Sequence, residues 1–322
     1  MKKIIFKTIY IFLLLLCSNQ VRSEVSLKLS PIVYDAIDLY NNEQYVKALD
    51  KFIAGIEAAE AEKDSISYMA CYLYIGNIYS CFSDFNGSIY YFLNGYNLAV
   101  KYNNRYIQGV LLSNIVGTYC RMGNPTKAKE YYEKEKKVHS DDKYYLLYNK
   151  ARILQAENKL EEALKMHMET LAFATKKNMG EQEKLIQLSE IGNVLVKLER
   201  YDEAIKYGDE CMRSSIKLKN NDLLINAYHI LADAYRGKGN IDNSIKYQNL
   251  LFSISDTVFN AKRFYAARNN LKEYEDRVVG REMTSLNSVI MRQSNIITWI
   301  SIFSILIMSA AIIIYLQYRK LR

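Results

Sequence analysis

The sequence predicts an all-α chain: a superhelical solenoid of about six helix-turn-helix repeats, followed by a stalk helix and one transmembrane helix. Three observations carry this expectation. The 322 residues include only 2 prolines, and proline interrupts helix interiors and central strands alike. One spacing of large and small residues returns six times between the chain ends. A long uncharged apolar run lies close to the C-terminus. Half of the residues are hydrophobic and 24% are charged, so the chain has the means to build a core.

The elements follow in order. Residues 1–23 read as a secretory signal. Lys2, Lys3 and Lys7 form a basic start, Ile9–Leu16 is unbroken apolar sequence, and Val21-Arg22-Ser23 offers a cleavage site before Glu24. Cys17 follows Leu16, where a lipidated cysteine would follow a small residue.

Residues 24–255 hold the repeats. One copy runs Tyr72, Ile75-Gly76, Tyr79, Phe85, Ser88 and Phe92; another runs Leu188, Ile191-Gly192, Leu195, Tyr201 and Ala204. Copies begin at Leu29, Met69, Gly109, Tyr144, Leu185 and Ile225, so the intervals are 40, 40, 35, 41 and 40 residues. The small position on the first helix is Ala36, Gly76, Ala151, Gly192 and Ala232 in five copies. The small position on the second helix is Ala48, Ser88, Ala128, Ala163, Ala204 and Ser244 in the six copies. Pro125 opens a second helix, a place that tolerates proline.

These residues resemble the tetratricopeptide repeat, in a variety longer than the usual repeat of about 34 residues. The resemblance implies that the small positions pack against each other within a pair, while aromatic and aliphatic residues fill the space between pairs. Gly76, Ala128, Ala151, Ala163, Gly192, Ala204 and Ala232 are therefore expected to be packing residues. Most of the 28 tyrosines then belong to the core.

Residues 256–294 read as a polar helix. Leu271, Tyr274 and Val278 step by three and four, and Val279, Met283, Leu286 and Ile290 do so in a frame shifted around Gly280. Such a broken heptad either pairs two chains in a coiled coil, making a homodimer, or packs on the last repeat. Residues 295–317 form the span. Ile296–Leu316 carries no charge over 21 residues, about 31 Å of helix, which matches the hydrocarbon thickness. Trp299 sits near one end and Tyr315 and Tyr318 near the other. Arg319, Lys320 and Arg322, in the tail 318–322, place that tail in the cytoplasm. The expectation is a single-pass protein of the cell (inner) membrane whose bulk is periplasmic.

Charge and cysteine exclude several classes. Of the formal +8, four charges lie in residues 1–23 and three in the last four residues, leaving one on the body; no basic field invites nucleic acid. Five cysteines without clustered spacing make neither a disulfide framework nor a zinc ribbon. His139, His167 and His229 stand in no metal or triad motif. No catalytic residue, metal site or cofactor is expected, so the chain does not read as an enzyme.

The family resemblance also implies a concave groove lined by the first helices. Carried over position by position, it yields Tyr34, Tyr40, Tyr74, Asn77, Asn114, Arg121, Tyr148, Asn149 and Arg152. The later repeats add Glu190, Asn193, Lys197, Asn226, His229, Asp233 and Arg236. Asparagine can donate and accept at once, which suits the backbone of an extended peptide. Asn77 and Asn114 match the asparagines of a carboxylate clamp, but its cationic positions fall on Leu73, Tyr145 and Asn149, so carboxylate capture is not expected. The expected partner is a periplasmic protein or peptide, held by a membrane-anchored interaction module. The layout also resembles membrane-anchored bacterial regulators. Because the sequence stops soon after the span, the alternative is the sensory half of a regulator whose output domain is missing or separately encoded.

Overall fold

The structure is a computed structural model that describes residues 29–138 and 142–258 throughout and parts of 264–300. The signal segment 1–23, nearly all of the span 295–317 and the tail 318–322 lie outside the described residues. Among the described residues, no helix is long and apolar enough to cross a membrane. The chain divides into two compact units, residues 1–267 and 268–322.

The first unit contains twelve helices among its described residues, in six pairs. They are α1 (Pro31–Asn41) with α2 (Tyr45–Glu62), α3 (Ser65–Cys81) with α4 (Phe85–Lys101), and α5 (Arg105–Arg121) with α6 (Pro125–Val138). Then come α7 (Lys143–Ala156) with α8 (Leu160–Lys176), α9 (Glu181–Lys197) with α10 (Tyr201–Leu218), and α11 (Asn221–Gly237) with α12 (Ile241–Val258). Each helix packs on its neighbours in sequence. The first helices of successive pairs also touch, α1 with α3, α3 with α5, α5 with α7 and α9 with α11. The odd-numbered helices thus make the inner wall.

The turn inside each pair fixes the register. Glu43, Ser83, Gly123, Asn158, Glu199 and Gly239 sit there with φ between 59° and 75°, the left-handed conformation that ends a helix. Their spacings are 40, 40, 35, 41 and 40 residues, the same series as the sequence intervals. Four of the six are not glycine, so packing beyond the turn must offset the left-handed penalty of about 1–2 kcal/mol each. Helix starts are closed by side chains. Asp64, Asp84, Asn104, Asp142 and Asn220 accept backbone N–H groups two or three residues ahead, which satisfies donors that lack a helical partner.

The small positions lie inside. Ala128, Ala151, Ala163 and Ala204 are completely buried and Ala232 nearly so. A Cβ on Gly76 would meet the Phe92 ring of α4 at 2.5 Å, a contact within the pair. Gly192 differs from the expected arrangement. Its space is taken by Ile230 of α11, with Cδ1 at 2.9 Å from an added Cβ. There the close approach is between pairs, because Ile230 reaches back over the small position. Tyr45, Tyr74, Tyr79, Tyr91, Tyr119, Tyr144, Tyr228 and Tyr247 are all buried. Cys71, Cys81, Cys120 and Cys211 are free thiols.

Beyond α12 the described chain returns to the second pair. Phe264 is buried, stacked on Phe82 at 4.0 Å and edge-on to Tyr79 at 5.3 Å. In the second unit, Val279, Met283, Leu286, Ile290, Ile297 and Ile300 are each more than half exposed. Their steps of four and three continue as one stripe, broken only at Gln293.

Candidate functional site

The inner wall encloses a cavity of about 370 Å³. Every odd-numbered helix contributes to it: Tyr40 from α1, Leu73, Tyr74 and Asn77 from α3, Val110 and Asn114 from α5, Tyr145 from α7, Gln182 from α9 and Asp222 from α11. Tyr40 is wedged between two other tyrosines, edge-on to Tyr45 at 5.3 Å and to Tyr74 at 5.1 Å. Phe52 stacks behind Tyr74 at 5.2 Å. These rings are held by packing, so the wall they form is preorganised. Burial pushes the Tyr74 hydroxyl up to about 12 and raises that of Tyr40.

The first and sixth pairs meet at this cavity. Asn221 donates its backbone N–H to Glu43 Oε1 at 3.0 Å and its Nδ2 to Glu43 Oε2 at 2.6 Å. The Tyr45 hydroxyl donates to Asp222 Oδ2 at 2.6 Å. The backbone N–H of Asn221 opens α11 and has no acceptor within that helix. A carboxylate from 178 residues away in sequence supplies one, and its charge suits the positive helix start. Burial raises the Asp222 carboxyl above the usual range; Glu43 adds to this, and donation from Tyr45 opposes it.

A second polar group lies along α5, α7 and α9. Arg152 donates through Nη2 to the Gly117 carbonyl at 3.0 Å and lies over the Tyr148 ring. Any Cβ on Gly117 would strike that guanidinium, so glycine lets Arg152 lie against the α5 backbone. Tyr148 donates to Glu190 Oε1 at 3.1 Å. Arg121 bonds Ser80 Oγ at 2.7 Å and lies over Phe85. Its guanidinium is held below its usual pKa by burial and then by Arg152. Cys81 feels charges from both polar regions. Burial and Asp222 push its thiol up to about 12, and Arg121 pulls the other way.

The sequence-assigned groove residues therefore separate. Tyr40, Tyr74, Asn77 and Asn114 line the cavity. Arg121, Tyr148, Arg152 and Glu190 form the second polar group. Asn149 is a correction: it is buried and lies between α6 and α7. Its Nδ2 is 2.9 Å from both oxygens of Glu135 and 2.8 Å from Ser113 Oγ. One residue beyond Tyr148 turns the helix by about 100°, which carries the amide away from the groove and toward Glu135. Glu135 is pushed up to about 8 by burial, against donation from Asn149 and Ser113 and the attraction of Arg152. Asn193 is half-buried and Lys197, Asn226, His229 and Arg236 are exposed. None of these five lines the cavity. His229 and Arg236 instead pair with Asp233 on the surface of α11, and Tyr34 is also exposed. Missing from the sequence assignment are Glu43, Tyr45, Gln182, Lys219, Asn220 and Asp222. Most of them sit in turns or at helix starts, where the groove pattern assigns no position.

His167 is buried, with Nδ1 at 2.9 Å from Gln187 Oε1, and Gln187 in turn donates to the Tyr144 hydroxyl. Burial lowers its pKa. This chain of bonds joins α7, α8 and α9 inside the wall. Among the described residues, no group of three or more His, Cys, Asp or Glu could hold a metal ion.

Comparison with known proteins bears on the fold. Residues 184–256 match the tetratricopeptide repeat model. No curated protein matches the chain. Among solved structures, a Rap protein complexed with competence and sporulation factor is similar, with 14% identity and a TM-score of 0.54. The match covers 72% of this chain and 75% of that one. The APC/C hetero-tetramer Cut9–Hcn1 is also similar, with 15% identity and a TM-score of 0.51, over 83% of this chain and 46% of that one. Both are likenesses of fold.

Proposed function

The chain carries tetratricopeptide repeats on an all-helical solenoid, and we propose that it is a membrane-anchored periplasmic receptor or scaffold that holds a peptide. Such arrays generally serve as non-catalytic interaction surfaces. The observation that carries the reading is the cavity, to which the first helix of every pair contributes. A volume of about 370 Å³ suits a few residues of peptide or a small molecule rather than a folded domain. Asn77 bears no hydrogen bond among the described residues. Asn114 spends its Nδ2 on the Val110 carbonyl at 3.0 Å, which leaves its oxygen to accept. Amides in that state can pair with the backbone of an extended ligand. The Rap protein, similar in fold, is complexed with a named factor, a precedent for ligand capture by an array of this shape.

The membrane setting rests on the sequence: the signal 1–23, the span 295–317 and the basic tail. Two experiments test the proposal. A reporter fused after Arg322 should be active only in the cytoplasm, and protease added to spheroplasts should digest the repeats; protected repeats would overturn the topology. Full-length protein in detergent should retain peptides from periplasmic extract. Asn77→Ala and Asn114→Ala should each weaken that retention about five- to a hundredfold, since a buried amide deprived of its partner costs about 1–3 kcal/mol. Equal retention by folded variants would remove the cavity as the site.

A further inference from the structure

We infer that the cavity binds the ammonium end of its ligand where the first and sixth pairs meet, with Asp222 and Glu43 as the counter-charges and Tyr40, Tyr45 and Tyr74 as the aromatic wall. This rests on the proposal that the cavity holds a peptide and adds its polarity. Three observations lead to it.

The first is an unfilled acceptor. Asp222 Oδ2 takes the Tyr45 hydroxyl, but Oδ1 is buried with no hydrogen-bond partner. A buried carboxylate oxygen without a donor is unfavourable, and nature seldom leaves one so without a ligand or water. The second is local charge. Glu43 and Asp222 both line the cavity, against Lys219 as the opposing lining charge. Among the described residues no cation pairs with either carboxylate. The third is the rings. Tyr40 stands edge-on to Tyr45 and Tyr74, so π faces are presented in more than one direction beside the carboxylates. A positive group gains from both kinds of neighbour, and an ammonium brings three donors, one of which can serve the Asp222 Oδ1 that has none. The bound peptide is therefore oriented, with its ammonium toward Asp222 and Glu43.

The ammonium can be a chain N-terminus or a lysine side chain, and the test separates them. Three pools of synthetic hexapeptides, all without arginine, are offered to the full-length protein in detergent, and retained peptides are counted by mass spectrometry. The first pool has free N-termini and no lysine, the second is N-acetylated without lysine, and the third is N-acetylated with one lysine. The first or third pool should be retained about tenfold over the second, the effect of one charge-assisted hydrogen bond. Asp222→Asn keeps an acceptor for Tyr45 and should bring that ratio close to one. Preference for the first pool identifies the N-terminus, and preference for the third identifies lysine; both support the assignment. Equal retention of all three pools by the parent overturns it, whatever the variant does, while leaving peptide capture standing. Retention of no pool above a protein-free blank would remove both readings.

Discussion

Gly76 is the position where the structure allows the sharpest stability forecast. A Cβ there would lie 2.5 Å from both Cδ1 and Cε1 of Phe92 and 3.1 Å from Cζ. Carbon atoms prefer about 3.5–4.0 Å, so the overlap is about 1 Å. The ring has nowhere to go, because Phe92 is buried among Met69, Leu73, Leu111 and Ile115. Overpacking of this kind costs about 1–3 kcal/mol. Replacing a helical glycine by alanine returns about 1 kcal/mol through helix propensity; the confined ring puts the overpacking cost toward the upper end of its range, so Gly76→Ala should destabilise by up to about 2 kcal/mol net. Gly192→Ala presents a softer case, since its nearest neighbour is the terminal Cδ1 of Ile230 at 2.9 Å. There the two effects should nearly cancel. Urea unfolding followed by far-UV circular dichroism would measure both variants. Phe92→Leu removes the obstructing ring, so Gly76→Ala combined with it should show a coupling of about 1 kcal/mol or more. If Gly76→Ala is as stable as the parent, or simply additive with Phe92→Leu, the close approach of α3 and α4 is wrong.

Three further outcomes are expected. Asn149→Ala should lower stability by about 1–3 kcal/mol, because it strips donors from buried Glu135, yet leave peptide retention unchanged; lost retention in a stable variant would return Asn149 to the groove. Glu135 has a folded pKa raised to about 8, so the native state holds this proton over a window in which the unfolded chain has released it. Its contribution to stability is thus present below the usual carboxylate pKa and lost as pH rises toward about 8. Glu135→Gln should flatten the fall in melting temperature between roughly pH 5 and 8; an unchanged slope would refute this. Tyr45→Phe removes a bond to a carboxylate worth about 1.5–3 kcal/mol, and hydrogen exchange should quicken at the start of α11. Unaltered exchange at Leu223 and Leu224 would mean that the contact with the first pair does not secure that helix.

The repeat register was legible because it is local. A helical period, a small residue facing a neighbour and a turn residue forced to positive φ all fall within one 40-residue interval, and the turns at Glu43, Ser83, Gly123, Asn158, Glu199 and Gly239 keep that interval. Tyr40, Tyr74, Asn77 and Asn114 followed from it. Asp222 and Glu43 did not, for their partners lie 177 and 178 residues away. How far each pair rotates on the last is set by the bulk of residues such as Ile230 that reach between pairs, summed over six pairs, and no single repeat encodes that sum. Asn149 misled for a related reason. Its groove position is correct by count, but Glu135 on the preceding helix gives its amide a better partner than open space. The bond from Arg152 onto the backbone at Gly117 had a visible trace, a glycine in mid-helix, though its companion lies 35 residues further on.

The bonds from Glu43 and Tyr45 to α11 alter how such an array should come apart. Repeats in a row behave like a zipper: the outermost units have one neighbour instead of two and loosen first. Here the opening unit has acquired a second neighbour by meeting the sixth pair, so the chain is linear in sequence but circular in its contacts. Opening of the turn between α1 and α2 must break the same bonds as fraying of the start of α11, and each end restrains the other. Deleting the first pair would therefore do more than shorten the row. It would turn a hoop into a strip, expose the cavity along its length, and leave the sixth pair as free to loosen as the end of any open array.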